Sequence, residues 1–296
     1  MTYEDVLTVA VVNFKLAEGN KESNLRRMKG FAEAASKRGA DLILFPEMCL
    51  MGCDYFMSAD IPQESKRALA ELFDGPSAQA MAEISKKYGN YIVYGAAQSV
   101  EESDKLYNSA IVTGPEGVIG AYRKIHPFAD ENIWCEKGET PFMFETPWGP
   151  VGIGICYDTY QFPELLRYYV SKGCRLYLNP TALTEEISLP NSRAAFKSYY
   201  KTMEYGVLCN TIFVANANLT GYGIKSYFGG GSCVVGPKVS PFYETDIFCY
   251  GGDYDNTQES IDFATIDLSL ATRNLCQINK LTGEPDYRPE IYKKFE

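Results

Sequence analysis

The chain has one histidine, His126, and that scarcity bears directly on any acid–base chemistry it performs. A thiol or hydroxyl nucleophile served by imidazole would have to use this residue. The nine cysteines include no C-x-x-C pair, so neither zinc nor a disulfide framework is suggested. An odd number of scattered thiols fits a reducing compartment, expected here to be the cytoplasm. Basic residues are in deficit: 28 Lys and Arg against 38 Asp and Glu give a net charge of −10, which leaves no stripe to track a phosphate backbone. Nucleic acid and anionic membranes are therefore poor partners. The longest charge-free run, Tyr205 to Ile224, holds Asn210, Asn216, Asn218 and three glycines, and reads as a helix end, a strand and a turn rather than a membrane span. The opening MTYEDVLTVAVV lacks the basic start and small-residue cleavage site of a signal peptide.

What the chain does have is apolar mass. With 296 residues at 46% hydrophobic it can bury a large core in one sizeable domain or two small ones. An internal echo organises it: RGADLILFPE (38–47) and KGCRLYLNP (172–180) share a basic residue and Gly closing a helix, then a polar residue, a short apolar strand and Pro. A strand and a helix precede each, LTVAVVNF (7–14) with NLRRMKGFAEAASK (24–37), and PVGIGICY (150–157) with PELLRYYVSK (163–172). A helix and a strand follow each, SAQAMAEISKKY (77–88) with YIVYGAAQ (91–98), and RAAFKSYYKTMEYGVLC (193–209) with TIFVANAN (211–218). Hairpin-like segments close both halves, LYNSAIVTGPEGVIGAYRK (106–124) in the first and SCVVGPKVS (232–240) with SIDFATIDL (260–268) in the second. Strands this apolar need cover on both faces, which predicts an α/β fold, a four-layer α-β-β-α sandwich of two duplicated halves. One doubly wound open sheet is the alternative, and in both folds sites form beyond the carboxyl ends of the strands.

Three chemistry-bearing residues stand at such ends: Glu47 after LILFP, Lys124 after VIGAYR and Cys156 after VGIGI. Free cysteine is ordinarily a small buried hydrophobe, but a thiol where a strand gives way to a helix is placed to act as a nucleophile if a base takes its proton. His126 in YRKIHPF is one candidate base, and Glu47, flanked by apolar residues that would raise its pKa, is the better one. Lys124 and the backbone N–H of Tyr157 would hold a developing oxyanion. A second acid near Lys124, Glu131 or Glu136 in ADENIWCEKG, would orient the ammonium, and periodicity does not choose between them. The glycine patterns give little support to a dinucleotide site, because Gly152 and Gly154 lack the third glycine. Gly229 to Gly231 in YFGGGSCVVGP mark a bulge or a close backbone approach within a strand pair.

Taken together, LILFPE around Glu47, YRKIH around Lys124, GIGICYD around Cys156 and the terminal DYRPEIY (286–292) resemble the nitrilase superfamily of carbon–nitrogen hydrolases over essentially the whole chain. The resemblance implies a single domain over 1–296, a Glu–Lys–Cys triad on Glu47, Lys124 and Cys156, and Glu131 rather than Glu136 as the assisting acid. It implies no metal or organic cofactor, a small-molecule amide or carbamoyl substrate, and a homodimer or higher oligomer in which IYKKFE could cross to the partner. Tyr157 after the cysteine resembles amidases first, carbamoylases second and nitrilases third; an inactive binding subunit is the non-enzyme alternative. Two departures stand out. CYDTYQFPE is one residue longer than the CYDxxFPE of many relatives, so the turn after Cys156 is expected to bulge. Thr159, Tyr160 and Gln161 supply no Arg for a substrate carboxylate, so a neutral, aromatic pocket is expected, lined by Trp134, Tyr157, Tyr160 and Thr181.

Overall fold

A computed structural model describes residues 3–186, 192–238 and 247–294. The first half runs β1 (Val6–Asn13), α1 (Lys21–Lys37), β2 (Leu42–Leu44), two short helices α2 (Cys53–Met57) and α3 (Gln63–Leu69), α4 (Pro76–Tyr88), β3 (Tyr91–Ser99), β4 (Leu106–Gly114) and β5 (Gly117–Arg123). The second runs β6 (Met143–Thr146), β7 (Gly149–Ile153), α5 (Tyr157–Gln161), α6 (Pro163–Ser171), β8 (Leu176–Thr181), β9 (Thr184–Glu186), α7 (Ser192–Asn210) and β10 (Phe213–Asn218). Then come β11 (Thr220–Tyr222), β12 (Ser226–Gly229), β13 (Cys233–Pro237), β14 (Ile247–Gly252), β15 (Ser260–Asp267) and α8 (Pro289–Tyr292). Local chemistry fixes the ends. Asn20 caps α1 by accepting from Ser23 N, and α4 starts on Pro76 and stops at Gly89 in the left-handed region.

Two six-stranded mixed sheets form, ordered β15-β1-β2-β3-β4-β5 and β14-β13-β10-β8-β7-β6. Val9, Val11, Val93 and Val112 of the first sheet share one core with Val151, Ile153, Leu176 and Val214 of the second. The alternate residues of the first sheet, Ala10, Val12, Ile43 and Ile92, face Met28 and Ala32 of α1 and Met81 of α4. Helices α6 and α7 cover the second sheet through Leu166, Tyr169, Met203 and Val207. The result is the four-layer α-β-β-α sandwich, and the single open sheet is excluded.

The ending of the second half differs from the expected hairpin. Cys233–Pro237 pairs with Ile247–Gly252, while Ser260–Asp267 crosses to the first sheet and runs antiparallel to all of β1, from Val6 opposite Asp267 to Asn13 opposite Ser260. β15 thus comes from the second half to edge the first sheet, whereas β6 edges the second sheet from within its own half. The last two residues of SCVVGPKVS, and of the IYKKFE tail, lie outside the described residues. No described helix is long and apolar enough to cross a membrane.

Candidate active site

The carboxyl ends of β2, β5 and β7 open into one cavity of about 220 Å³, whose walls include Glu47, Lys124, Glu131, Cys156, Tyr157 and Tyr160. Glu47 sits in the turn after β2. That turn is stitched to β3 by Phe45 N to Val93 O (2.8 Å), Gly95 N to Pro46 O (3.0 Å) and Leu50 N to Gly95 O (3.2 Å). The approach is so close that a Cβ on Gly95 would lie 2.3 Å from Met48 N and 2.5 Å from the Glu47 Cα, so only glycine fits beneath the carboxylate. Lys124 follows β5, its backbone held between the Asn108 carbonyl and the Gly138 N–H, both at 2.8 Å. Glu131 lies on a 3₁₀ turn, Ala129–Ile133, with Oε2 accepting from Phe128 N at 2.6 Å.

These side chains meet in a buried ionic cluster. Lys124 Nζ donates to Glu47 Oε1 and to Glu131 Oε2, each at 2.7 Å, with the three side chains 1–5% exposed. Asn108 bridges the same carboxylates, its Nδ2 at 2.7 Å from Glu47 Oε1 and 2.8 Å from Glu131 Oε1. Its Oδ1 is buried without a partner, the cost of pointing the amide nitrogen at both acids. Burial alone would lower the Lys124 pKa, but Glu131 and Glu47 together more than offset it and hold the ammonium well above its usual range. Burial raises the Glu131 carboxyl, Lys124 opposes this, and the Glu47 charge adds to it. Glu136, the alternative acid, is exposed and outside the cavity.

Cys156 occupies an elbow between β7 and α5 with φ +50° and ψ −101°, a left-handed conformation that a non-glycine residue adopts only under constraint. The constraint is visible: Cys156 N donates to Pro180 O (3.0 Å) and to Asn179 Oδ1 (2.9 Å). The buried Asp158 carboxylate accepts from Ile155 N (3.0 Å), the Tyr122 hydroxyl (2.8 Å), His126 N (3.0 Å) and His126 Nδ1 (2.7 Å). Asp158 therefore ties the elbow to the strand end that carries Lys124. Met48 and Ala129, beside Glu47 and Glu131, also have positive φ, so three of the six such non-glycine residues described flank this cavity. Burial pushes the Cys156 thiol up, the Glu47 charge adds to this, and Lys124 with the Thr181 hydroxyl opposes it.

His126 does not line the cavity that holds Cys156. Its ring is bonded to Asp158 and is stacked on Phe162 at 3.5 Å between centroids. Of the expected pocket residues, Tyr157 and Tyr160 line the cavity, the latter with its hydroxyl bonded to Asn216 and Asn179 behind it. Trp134 does not: it packs on Phe56 at 4.7 Å in the core beneath the first sheet. Thr181 is also absent from the walls and sits behind Cys156. After Cys156 the chain forms a five-residue helix that ends at Phe162 (φ −123°, ψ 78°), a non-helical residue directly before Pro163, rather than a bulge. The Tyr157 N–H at the start of that helix donates to no described group.

The pocket is less neutral than expected. Lys225 and Asp130 stand on its rim, 3.8 Å apart, together with Phe128 and Tyr199. The Lys225 loop is clamped by the buried Asp54 carboxylate, which accepts from Lys225 N (2.8 Å), Ser226 N (2.9 Å) and the Ser226 hydroxyl (2.6 Å). Reading of the sequence missed Lys225 and Asn108. An asparagine inside the apolar strand LYNSAIV was the available signal for the second; nothing local marked the first.

A four-layer sandwich thus brings a cysteine elbow and a buried Glu–Lys–Glu cluster into one cavity. The family model for carbon–nitrogen hydrolases matches residues 8–272, and the chain belongs to the nitrilase superfamily. It is similar to a nitrilase of Pyrococcus abyssi (29% identical, covering 92% of this chain and 93% of the relative). It is also similar to omega-amidase NIT2 of Bos taurus and of Homo sapiens (each 31% identical, covering 84% of both chains). Among solved structures, a mutant of the Nesterenkonia AN1 amidase from the nitrilase superfamily superposes with a TM-score of 0.74 at 20% identity, covering 100% of this chain and 99% of that one.

Proposed function

We propose that this carbon–nitrogen hydrolase is an amidase that cleaves small non-peptide amides through a thioester on Cys156. The observation that carries the reading is the Lys124 ammonium held by two buried carboxylates at 2.7 Å in the same cavity as the Cys156 elbow. Because burial and the Glu47 charge keep the thiol protonated at rest, attack requires a base acting in the same step. Glu47 takes that proton as sulfur bonds to the amide carbon, and the oxyanion is held by Lys124 and the Tyr157 N–H. The intermediate collapses as Glu47 returns the proton to nitrogen, and ammonia or an amine leaves. Glu47 then deprotonates a water that attacks the thioester, and the acid departs as the thiol regains its proton. Glu131 positions Lys124.

A second reading, hydrolysis of the ω-amide of a carboxylic acid, is favoured by Lys225, a rim cation that could receive a distal carboxylate; several relatives are named omega-amidases. A carbamoylase and then a nitrilase follow. We further propose a cytoplasmic enzyme, consistent with nine free thiols, and a homodimer formed through the exposed Tyr168, Tyr205 and Leu208 of α6 and α7. Ammonia release from a panel of aliphatic amides, ω-amides, N-carbamoyl amines and nitriles, with intact-mass detection of an acyl adduct, tests the function. Turnover of amides that vanishes in Cys156→Ala and Glu47→Gln supports it. Preference for carbamoyl amines or nitriles, or an active Cys156→Ala, overturns it, and light scattering reads the oligomer.

A further inference from the structure

On the helix-facing side of the first sheet, beyond α4, a groove of about 500 Å³ runs over the ends of β3, β4 and β5 and shares no wall residue with the catalytic cavity. It is lined by Gln98, Lys105, Tyr107, Arg123 and Lys137, with Phe73 and Phe142 as apolar walls. In a chain of net charge −10, three cations converge here, and none of them takes part in an ion pair among the described residues. Glu139 is the acid within the groove, and Asp74 and Glu101 border the adjoining hollow that shares Phe73, Gln98 and Arg123.

The groove is built, not only charged. The Arg123 guanidinium lies 4.3 Å over the Tyr107 ring, and its Nε donates to Gln98 Oε1 at 3.2 Å, which fixes the planar fork and leaves its terminal nitrogens without hydrogen bonds among the described residues. Gln98 is 3% exposed. Its Oε1 also accepts from the Ser109 hydroxyl at 2.9 Å, so both uses of the side chain fall on the oxygen and the amide nitrogen is left as an unpartnered donor at the groove floor. A preorganised guanidinium beside an amide donor of a largely buried side chain suits a planar or tetrahedral oxyanion, and flanking aromatic walls suit a flat apolar body.

We propose that this groove is a second binding site, outside the catalytic cavity, for a small organic anion that carries a phosphate or carboxylate on an aromatic or similarly flat body. Arg123 and the Gln98 amide hold the oxyanion, Lys105 and Lys137 add attraction, and Phe73 and Phe142 cover the body. Arg123 directly precedes Lys124, and Gly138, next to Lys137, donates to the Lys124 carbonyl, so an occupant bears on the backbone that holds the catalytic cluster.

The test is isothermal titration of the Cys156→Ala chain, which isolates binding from any reaction, with phenyl phosphate, benzoate, inorganic phosphate and benzyl alcohol at low salt. The expected result is saturation by at least one aryl anion with Kd at or below about 1 mM. Benzyl alcohol should not bind, and Lys105→Gln/Lys137→Gln and Gln98→Glu should each weaken the aryl anion by about tenfold or more. Phenyl phosphate against benzoate then identifies the head group, and inorganic phosphate measures the contribution of the walls. The two lysines are exposed, so their double variant reads binding even if a Gln98 variant fails to fold. Absence of saturation by both aryl anions, or unchanged affinity in the lysine double variant, overturns the proposal.

Discussion

Replacing Lys124 by Met should destabilise the protein in a manner that depends on pH, and the dependence is the informative part. The ammonium lies 2.7 Å from each of two carboxylates whose side chains are at most 5% exposed. Removing one partner from such a cluster leaves uncompensated buried charge, a cost of about 3–5 kcal/mol. With an unfolding entropy of about 2.1 cal/mol/K per residue, a chain of this length loses about 0.6 kcal/mol per degree, so the melting temperature should fall by about 5–8 °C near pH 8. In the wild type, the raised Lys124 pKa makes its contribution fully present below the ordinary lysine range and lost only as pH rises through the alkaline folded value, so neutral pH leaves it unchanged. In the variant, burial and mutual repulsion raise the carboxyl pair above its unfolded range. A raised carboxyl supplies stability that is present at low pH and lost as pH rises, so the deficit should shrink toward pH 5 as the pair takes up a proton. Thermal melts of both proteins from pH 5 to pH 8.5 check this, and an equal deficit at the two ends, or none at pH 8.5, refutes the cluster as described.

Three other predictions address the surroundings of the site. His126→Ala should keep kcat/KM within about threefold while costing about 1–2 kcal/mol of stability, since the ring serves Asp158 and Phe162 rather than Cys156; steady-state assay and denaturant melts check both parts. Gly95→Ala should lower activity by more than about tenfold and stability by about 1–3 kcal/mol, because its methyl would displace the turn under Glu47; an assay alongside a melt separates the effects. Glu18, which accepts from Asp54 N and Tyr55 N, has its carboxyl pushed by burial to about 7, so wild-type stability should decline as pH rises from about 4.5 through 7. Glu18→Gln should therefore match wild type near pH 4.5 and exceed it at pH 8, by about 1–2 kcal/mol once solvent contact is allowed for; equal stability at pH 8 counts against that shift.

Much of the layer arrangement was legible because its signals are local. The apolar strands, Pro76 and Pro163 at helix starts and Gly89 at a helix end mark elements that the folded chain keeps. The destination of β15 was not legible. Ser260–Asp267 shows no single polar–apolar alternation, because Phe263 and Ala264 are adjacent, and its pairing with β1, more than 240 residues away, is settled by tertiary register. Trp134 misled for a related reason: it follows the 3₁₀ turn as its C-cap residue, and its place is set by packing on Phe56 of a distant helix rather than by its nearness to Glu131. Lys225 reaches the rim only through its loop's bonds to Asp54, 171 residues earlier.

Glu47, Lys124 and Cys156 stood out by their types and strand-end positions, and Glu131 over Glu136 only by the family resemblance, yet what brings them together lies beneath them. Cys156 itself, Met48 next to Glu47 and Ala129 two residues before Glu131 are non-glycine residues with positive φ, and each such residue costs about 1–3 kcal/mol. Local propensity would not choose Met48, Ala129 or Cys156 for that region, so the neighbouring elements must enforce it. Hydrogen bonds between β2 and β3 hold the first, the Glu131–Phe128 contact closes the turn around the second, and Asn179 and Pro180 of β8 hold the third. Asp158 then joins the third to the strand that carries Lys124. The strain is therefore carried by contacts from both sheets, which explains why two duplicated halves are packed face to face: neither sheet alone supplies the groups that hold the thiol and the ammonium in one cavity.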